Sequence, residues 1–72
     1  MILVTEKEIE KAKFEWTYKD GTNFTALLFQ LIMKSDTNNF FKLASQYAGE
    51  CYVVATFWEN QSLLNSFKIV EE

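Results

Sequence analysis

Residues 24–33 are hydrophobic at nearly every position, whereas from Phe40 to Tyr47 the apolar side chains recur at helical spacing. A short polar break, Lys34-Ser35-Asp36-Thr37-Asn38-Asn39, separates the two segments. The first segment predicts a helix over 26–34. Its only polar positions are Gln30 and Lys34, so the expectation is a helix enclosed on nearly all sides. Thr25 is the expected N-cap, with Asn23 as its rival, and Phe24 is expected to staple onto Phe29. In the second segment Phe40, Leu43, Ala44 and Tyr47 follow the i, i+3, i+4, i+7 rule, while Phe41 falls off that stripe. This predicts a helix over 37–48, capped by Asp36 and ended by Gly49 in the left-handed conformation. A break this short predicts antiparallel or steeply crossed neighbours, a helical hairpin.

The two ends of the chain are less regular. Thr5-Glu6-Lys7-Glu8 matches a capping box, in which a hydroxyl and a carboxylate satisfy the free N–H groups of a helix start. The charged run that follows offers only Ile9 and Ala12 to a core. Residues 1–13 therefore read equally as a short helix or as an irregular or extended arm. Over 14–18 the pattern alternates, with Phe14, Trp16 and Tyr18 on one side, which predicts a half-buried strand. Asp20-Gly21 turns the chain. Across 50–60, Cys51, Val54, Ala55 and Trp58 form a helical face, yet Tyr52, Val53, Val54, Thr56 and Phe57 are strand-favouring residues. The helical pattern is the stronger. Residues 67–70 suit a closing strand that can pair with 14–18. The fold expected is mainly α: one compact three-helix domain spanning 1–72, with a two-stranded antiparallel β-ribbon formed by the N- and C-terminal segments.

Composition sharpens this picture. Twelve of the 72 residues are aromatic, seven of them Phe. A chain of this length buries only about 60% of its unfolded surface, so large side chains suit a small core. They also exceed what the main helical stripes use. Trp16, Phe41, Tyr52 and Phe57 are the surplus and the candidate protein-interaction patch. The six acids before residue 43 are matched by six lysines, while beyond it Lys68 stands alone against four glutamates. That acidic end repels phosphate and anionic membranes. Met1-Ile2-Leu3-Val4 is too short for a signal-peptide core and acids follow it. No stretch approaches the ~20 residues of a membrane span, so the expected location is cytoplasmic.

From Phe24 onward a second line of inference opens. Phe24-Thr25, Leu28-Phe29, Leu31-Ile32, Lys34-Ser35-Asp36, Asn39, Lys42-Leu43, Tyr47, Glu50 and Trp58 match in order and spacing the pattern of a known group. Over roughly residues 24–58 the chain resembles a family of short, uncharacterised proteins of bacterial phages and other mobile elements. Where that family carries Pro after the aromatic residue, this chain has Ala48, followed by Gly49. The resemblance implies a third helix across 50–58. It implies no activity, only a setting in which small accessory proteins bind host machinery.

Absences narrow the chemistry. The chain has no His, the commonest general base and a frequent metal ligand. Its basic residues are all Lys, so no guanidinium clamp for phosphate or carboxylate exists. Cys51 is the only cysteine. It can form no internal disulfide, cannot build a four-ligand zinc site, and sits in an apolar run that suits a buried hydrophobe. The two glycines lie far apart, so no phosphate-cradling loop is present. No catalytic residue, cofactor or metal site is expected. Thr25 and Asp36 are read as structural caps. A helix-turn-helix reading would present Thr37, Asn38, Asn39 and Lys42 to nucleic acid, but a domain of net charge −3 is poorly equipped for phosphate contacts. The remaining expectation is a non-catalytic accessory protein that binds another protein or itself.

Overall fold

The computed structural model describes residues 1–71. Strand β1 (Ile2–Thr5) leads into helix α1 (Glu6–Trp16), followed by α2 (Phe24–Lys34), α3 (Thr37–Ala44), α4 (Ala48–Phe57), the one-turn α5 (Gln61–Leu64) and strand β2 (Phe67–Val70). The fold is mainly helical, with five helices among the described residues instead of the three expected. Helices α2, α3 and α4 overlap the three segments that the hydrophobic pattern predicts to be helical, but α2 and α3 pack mainly on α4 and not on each other.

The capping box forms. Thr5 Oγ1 accepts from the Glu8 N–H at 3.0 Å, and Glu8 Oε1 accepts from the Thr5 N–H at 2.9 Å. From this start α1 runs to Trp16, into the segment expected as a strand over 14–18, and Thr17 and Tyr18 follow as turn. Ile9, Ala12 and Trp16 share one face at i, i+3, i+7; the first two are buried and Trp16 packs against the core. That helical stripe outlasts five residues of alternation, and Phe14 and Tyr18 are left outside as an exposed i, i+4 pair.

The strand at 67–70 does form, but its partner is β1 and the pair is parallel, with Ile2 opposite Phe67 and Val4 opposite Ile69. An antiparallel ribbon needs a hairpin or a returning connection. Here every helix lies between the two strands, and such a long crossover permits the parallel arrangement. Ile2–Thr5, within the segment read as a short helix or an irregular or extended arm, supplies the missing strand. Its Val4 is fully buried.

Helix α2 begins at Phe24, and the rival cap wins. Asn23 Oδ1 accepts from the Ala26 N–H at 2.9 Å, while Thr25 lies inside the helix. Phe24 turns outward to lie 6.1 Å from the Tyr47 ring and does not staple onto Phe29. Asp36 caps α3 as expected, accepting from the Asn39 N–H at 2.8 Å. Helix α3 stops at Ala44, short of the predicted end, because Gly49 belongs to the next helix.

The centre of the molecule is α4, which packs on α1, α2, α3, α5 and β1. Ala48, Gly49, Cys51, Val53, Val54 and Ala55 are all buried. Gly49 is not a left-handed terminator. A Cβ on it would lie 2.6 Å from the Glu8 carbonyl oxygen and 2.9 Å from its carbon, so glycine sets how closely α1 approaches α4. The left-handed position falls instead on Glu59 (φ 54°), just past the C-cap Trp58. There the Asn60 N–H reaches back to the Ala55 carbonyl at 3.1 Å, a Schellman closure.

Two substitutions should therefore act against simple expectation. Gly49→Ala raises helix propensity by about 1 kcal/mol but is expected to destabilise the fold by about 2 kcal/mol, because backbone must shift to admit the methyl. Glu59→Gly should stabilise by about 1 kcal/mol by relieving the left-handed conformation. Urea denaturation of both variants reads the two signs directly.

Candidate functional site

Helix α2 is apolar on the outside as well as the inside. Ala26, Leu28, Phe29 and Ile32 face the core. On the other side Phe24, Leu27 and Leu31, at i, i+3, i+7, are 67%, 51% and 55% exposed. The sequence pattern assigned all of them to the core, so the expected enclosure is corrected. Enclosure belongs to α4. Its small and β-branched residues let neighbours close in from every side, whereas the longer residues of α2 sit at the edge of the domain. The signal was available: a 72-residue chain has little room for two fully surrounded helices, and Gly, Ala, Cys and Val mark the better centre.

Phe24, Leu27 and Leu31 continue into a groove between α2 and α3. One half, about 380 Å³, is lined by Phe24, Leu27, Leu28, Leu31, Leu43 and Tyr47 and is almost wholly apolar. The other, about 390 Å³, shares Leu31 and Leu43 and ends among Lys34, Ser35, Asp36, Asn39 and Lys42. On the opposite flank of α2, Gln30 Nε2 donates to the carbonyls of Lys19 at 3.1 Å and Gly21 at 3.3 Å. That pins the α1–α2 turn along the helix. Scattered exposed hydrophobics carry little meaning, but a contiguous patch on two neighbouring helices is the usual mark of an interaction surface.

The four surplus aromatics do not form one patch. Trp16 is half-buried, edge-on to Phe29 at 5.0 Å and 5.1 Å from Phe57, with Lys19 Nζ 4.9 Å above its ring. Phe57, 57% exposed, stands beside it. Tyr52 packs edge-on to Phe67 at 5.4 Å and is half-buried. Phe41, partly exposed, is edge-on to Phe40 at 5.6 Å and has no ring contact with the other three. Trp16 and Phe57 are thus brought together, and Phe41 is apart from both. Thr37, Asn38, Asn39 and Lys42 are all exposed on α3, but only Lys34 and Lys42 line the adjoining groove as cations, few for phosphate-driven binding.

Chemical groups with perturbed reactivity are scarce. Burial, reinforced by the neighbouring Glu50 carboxylate, pushes the Cys51 thiol from its ordinary 9.0 up to about 12. Its Sγ faces the Phe40 carbonyl at 3.9 Å, a weak hydrogen bond. A thiol so placed stays protonated and is a poor nucleophile. Among the described residues no three His, Cys, Asp or Glu side chains cluster to hold a metal ion, and no helix is long and apolar enough to cross a membrane. In comparisons with protein-family models, curated proteins and solved structures, nothing matches the chain.

Cys51 gives a pH test. Because its folded pKa stands above the unfolded value, the associated stability is complete below pH 9.0 and is lost as the pH climbs toward about 12. Cys51→Ala should lose less stability than the parent over that window in pH-dependent urea melts. In the native parent, a thiol reagent should label Cys51 only after denaturant is added.

Proposed function

We propose that the protein is a non-catalytic binding module that engages another polypeptide through the outer face of α2 and the groove it shares with α3. One observation carries this reading: Phe24, Leu27 and Leu31 stand exposed in a row on an ordered helix. A free-standing monomer gains nothing from that arrangement, since each exposed leucine or phenylalanine forgoes roughly 1.5–3 kcal/mol of burial. A partner helix with apolar residues at i, i+3 or i+4, and i+7 would recover part of it. The polar end of the groove, with Lys34 and Lys42 around Asp36, adds orientation more than affinity.

The interaction surface is therefore moved from Trp16, Phe41, Tyr52 and Phe57 to Phe24, Leu27, Leu31, Leu43 and Tyr47. Trp16 is occupied by Phe29, Phe57 and Lys19, and Tyr52 by Phe67. The setting we propose, accessory work for a phage or mobile element in the bacterial cytoplasm, rests on the resemblance over residues 24–58. Protonation of Cys51 and the want of histidine support the non-catalytic part of the reading.

A photo-crosslinking residue placed at Leu31 should join the chain to a second polypeptide on irradiation, while the same residue at Phe14 should not. Leu31→Lys should keep the unfolding free energy within about 0.5 kcal/mol, as exposed substitutions do, yet lose that association. If the chain carrying the photo-crosslinking residue at Leu31 joins no other polypeptide on irradiation, the proposal ends.

A further inference from the structure

We infer that residues 61–70, which hold α5 and β2, form a strap that opens as one unit while α1 to α4 stay folded. The inference is independent of the binding reading above. Two buried side chains hold the strap down, Leu63 from α5 and Phe67 from β2, each 8% exposed. Phe67 sits edge-on to Tyr52 at 5.4 Å and to Phe40 at 6.3 Å. Gln61, Ser62, Asn65, Lys68 and Ile69 are all exposed. The polar side chains tie the segment to itself. Gln61 Nε2 donates to Asn65 Oδ1 at 2.8 Å, Ser66 Oγ donates to the Ser62 carbonyl at 3.4 Å, and Asn60 Oδ1 accepts from the Leu63 N–H at 3.1 Å.

The remaining attachment is the ladder with β1. The Ile2 N–H donates to the Ser66 carbonyl at 2.8 Å. With Ile2 opposite Phe67 and Val4 opposite Ile69, the ladder continues through Lys68 and Val70, and Phe67 and Ile69 turn their N–H and C=O groups outward. Parallel pairing is the weaker kind per residue, and two strands alone are marginal. The helical body is held separately. Helix α4 packs on α1, α2 and α3, and Ala12, Phe29, Ile32 and Val54 are fully buried there. The joint between the two parts lies at Glu59 and Asn60. Glu59 is left-handed (φ 54°). Asn60 closes α4 through its N–H on the Ala55 carbonyl and starts α5 through its side chain. Two residues separate α5 from β2, so Leu63 and Phe67 leave together. Local opening of this kind precedes global unfolding where buried anchors are few. It bares the backbone groups of Ile2 and Val4 and the rings of Phe40 and Tyr52 on which Phe67 packs, a slot shaped for an extended segment carrying an aromatic residue.

Native-state hydrogen exchange of the full chain, followed residue by residue by NMR, tests this. The Lys68 and Val70 amides of the ladder and the Leu64 and Asn65 amides that follow α5 backbone bonds should share one opening equilibrium. Their protection should lie at least about tenfold below that of Val53 and Val54 in α4. Ile32→Val, a change confined to α2, should lower the Val53 and Val54 protection roughly fivefold. It should leave the strap amides unchanged, because residue 32 stays packed when the strap lifts. Equal protection of strap and α4 amides, or strap amides that fall together with α4 in Ile32→Val, would mean that the segment opens only with the whole fold and overturns the strap. Different protection for the α5 and β2 amides overturns it as well, since the end of the chain then frays residue by residue.

Discussion

The backbones of α1 and α4 meet at Glu8 and Gly49 with no space for a methyl group between them, and much of the molecule follows from that approach. A helix that lets a neighbour come so close must itself be built from small residues, and α4 is: Ala48, Gly49, Cys51, Val53, Val54 and Ala55 are buried. Once α4 is surrounded by α1, α2, α3, α5 and β1, the other helices become its walls. A wall has an inside and an outside. The apolar outside of α2 is therefore a consequence of which helix took the centre, and it is the feature from which the functional argument starts.

The same contact ties the ends of the chain into the fold. Glu8 contributes its carbonyl to the approach on Gly49 and its carboxylate to the capping box on Thr5, so the start of α1 is fixed both locally and through tertiary packing. The strand before it is fixed by pairing with β2. A two-stranded sheet is marginal alone, and here Val4 and Phe67 anchor it to the core cluster. Capping, strand pairing and helix approach converge on residues 2–8, which is why a charged segment that reads as a weak arm is ordered.

What the sequence made legible was local. Caps and breaks were readable at Asp36 and at Thr5 with Glu8, because such motifs are set by hydrogen bonds three residues apart. The errors came where tertiary packing decided between local alternatives. Five alternating residues over 14–18 lost to a helical stripe begun at Ile9. The segment 1–13 stayed open between helix and extended arm, because the state of Ile2–Thr5 depends on a strand more than sixty residues away. Gly49 was read for its backbone freedom, whereas its missing side chain was the relevant property. For the candidate site, the residues were all noticed and wrongly sorted. Leu27 and Leu31 were assigned to the core by their chemistry, and no local rule states which of two apolar helices a small domain will enclose.

That sorting also bears on what the protein can be. The chain has no His, and its cysteine, Cys51, is buried and held protonated. Exposed apolar area remains, and on α2 three such residues fall in one row, Phe24, Leu27 and Leu31. Natural monomers limit such patches because they invite association. A helix that keeps Phe24, Leu27 and Leu31 in one exposed row has an adhesive surface along its length. Apolar contact alone would stick without direction. The polar end of the adjoining groove, around Lys34, Asp36 and Lys42, makes the two ends of that surface different.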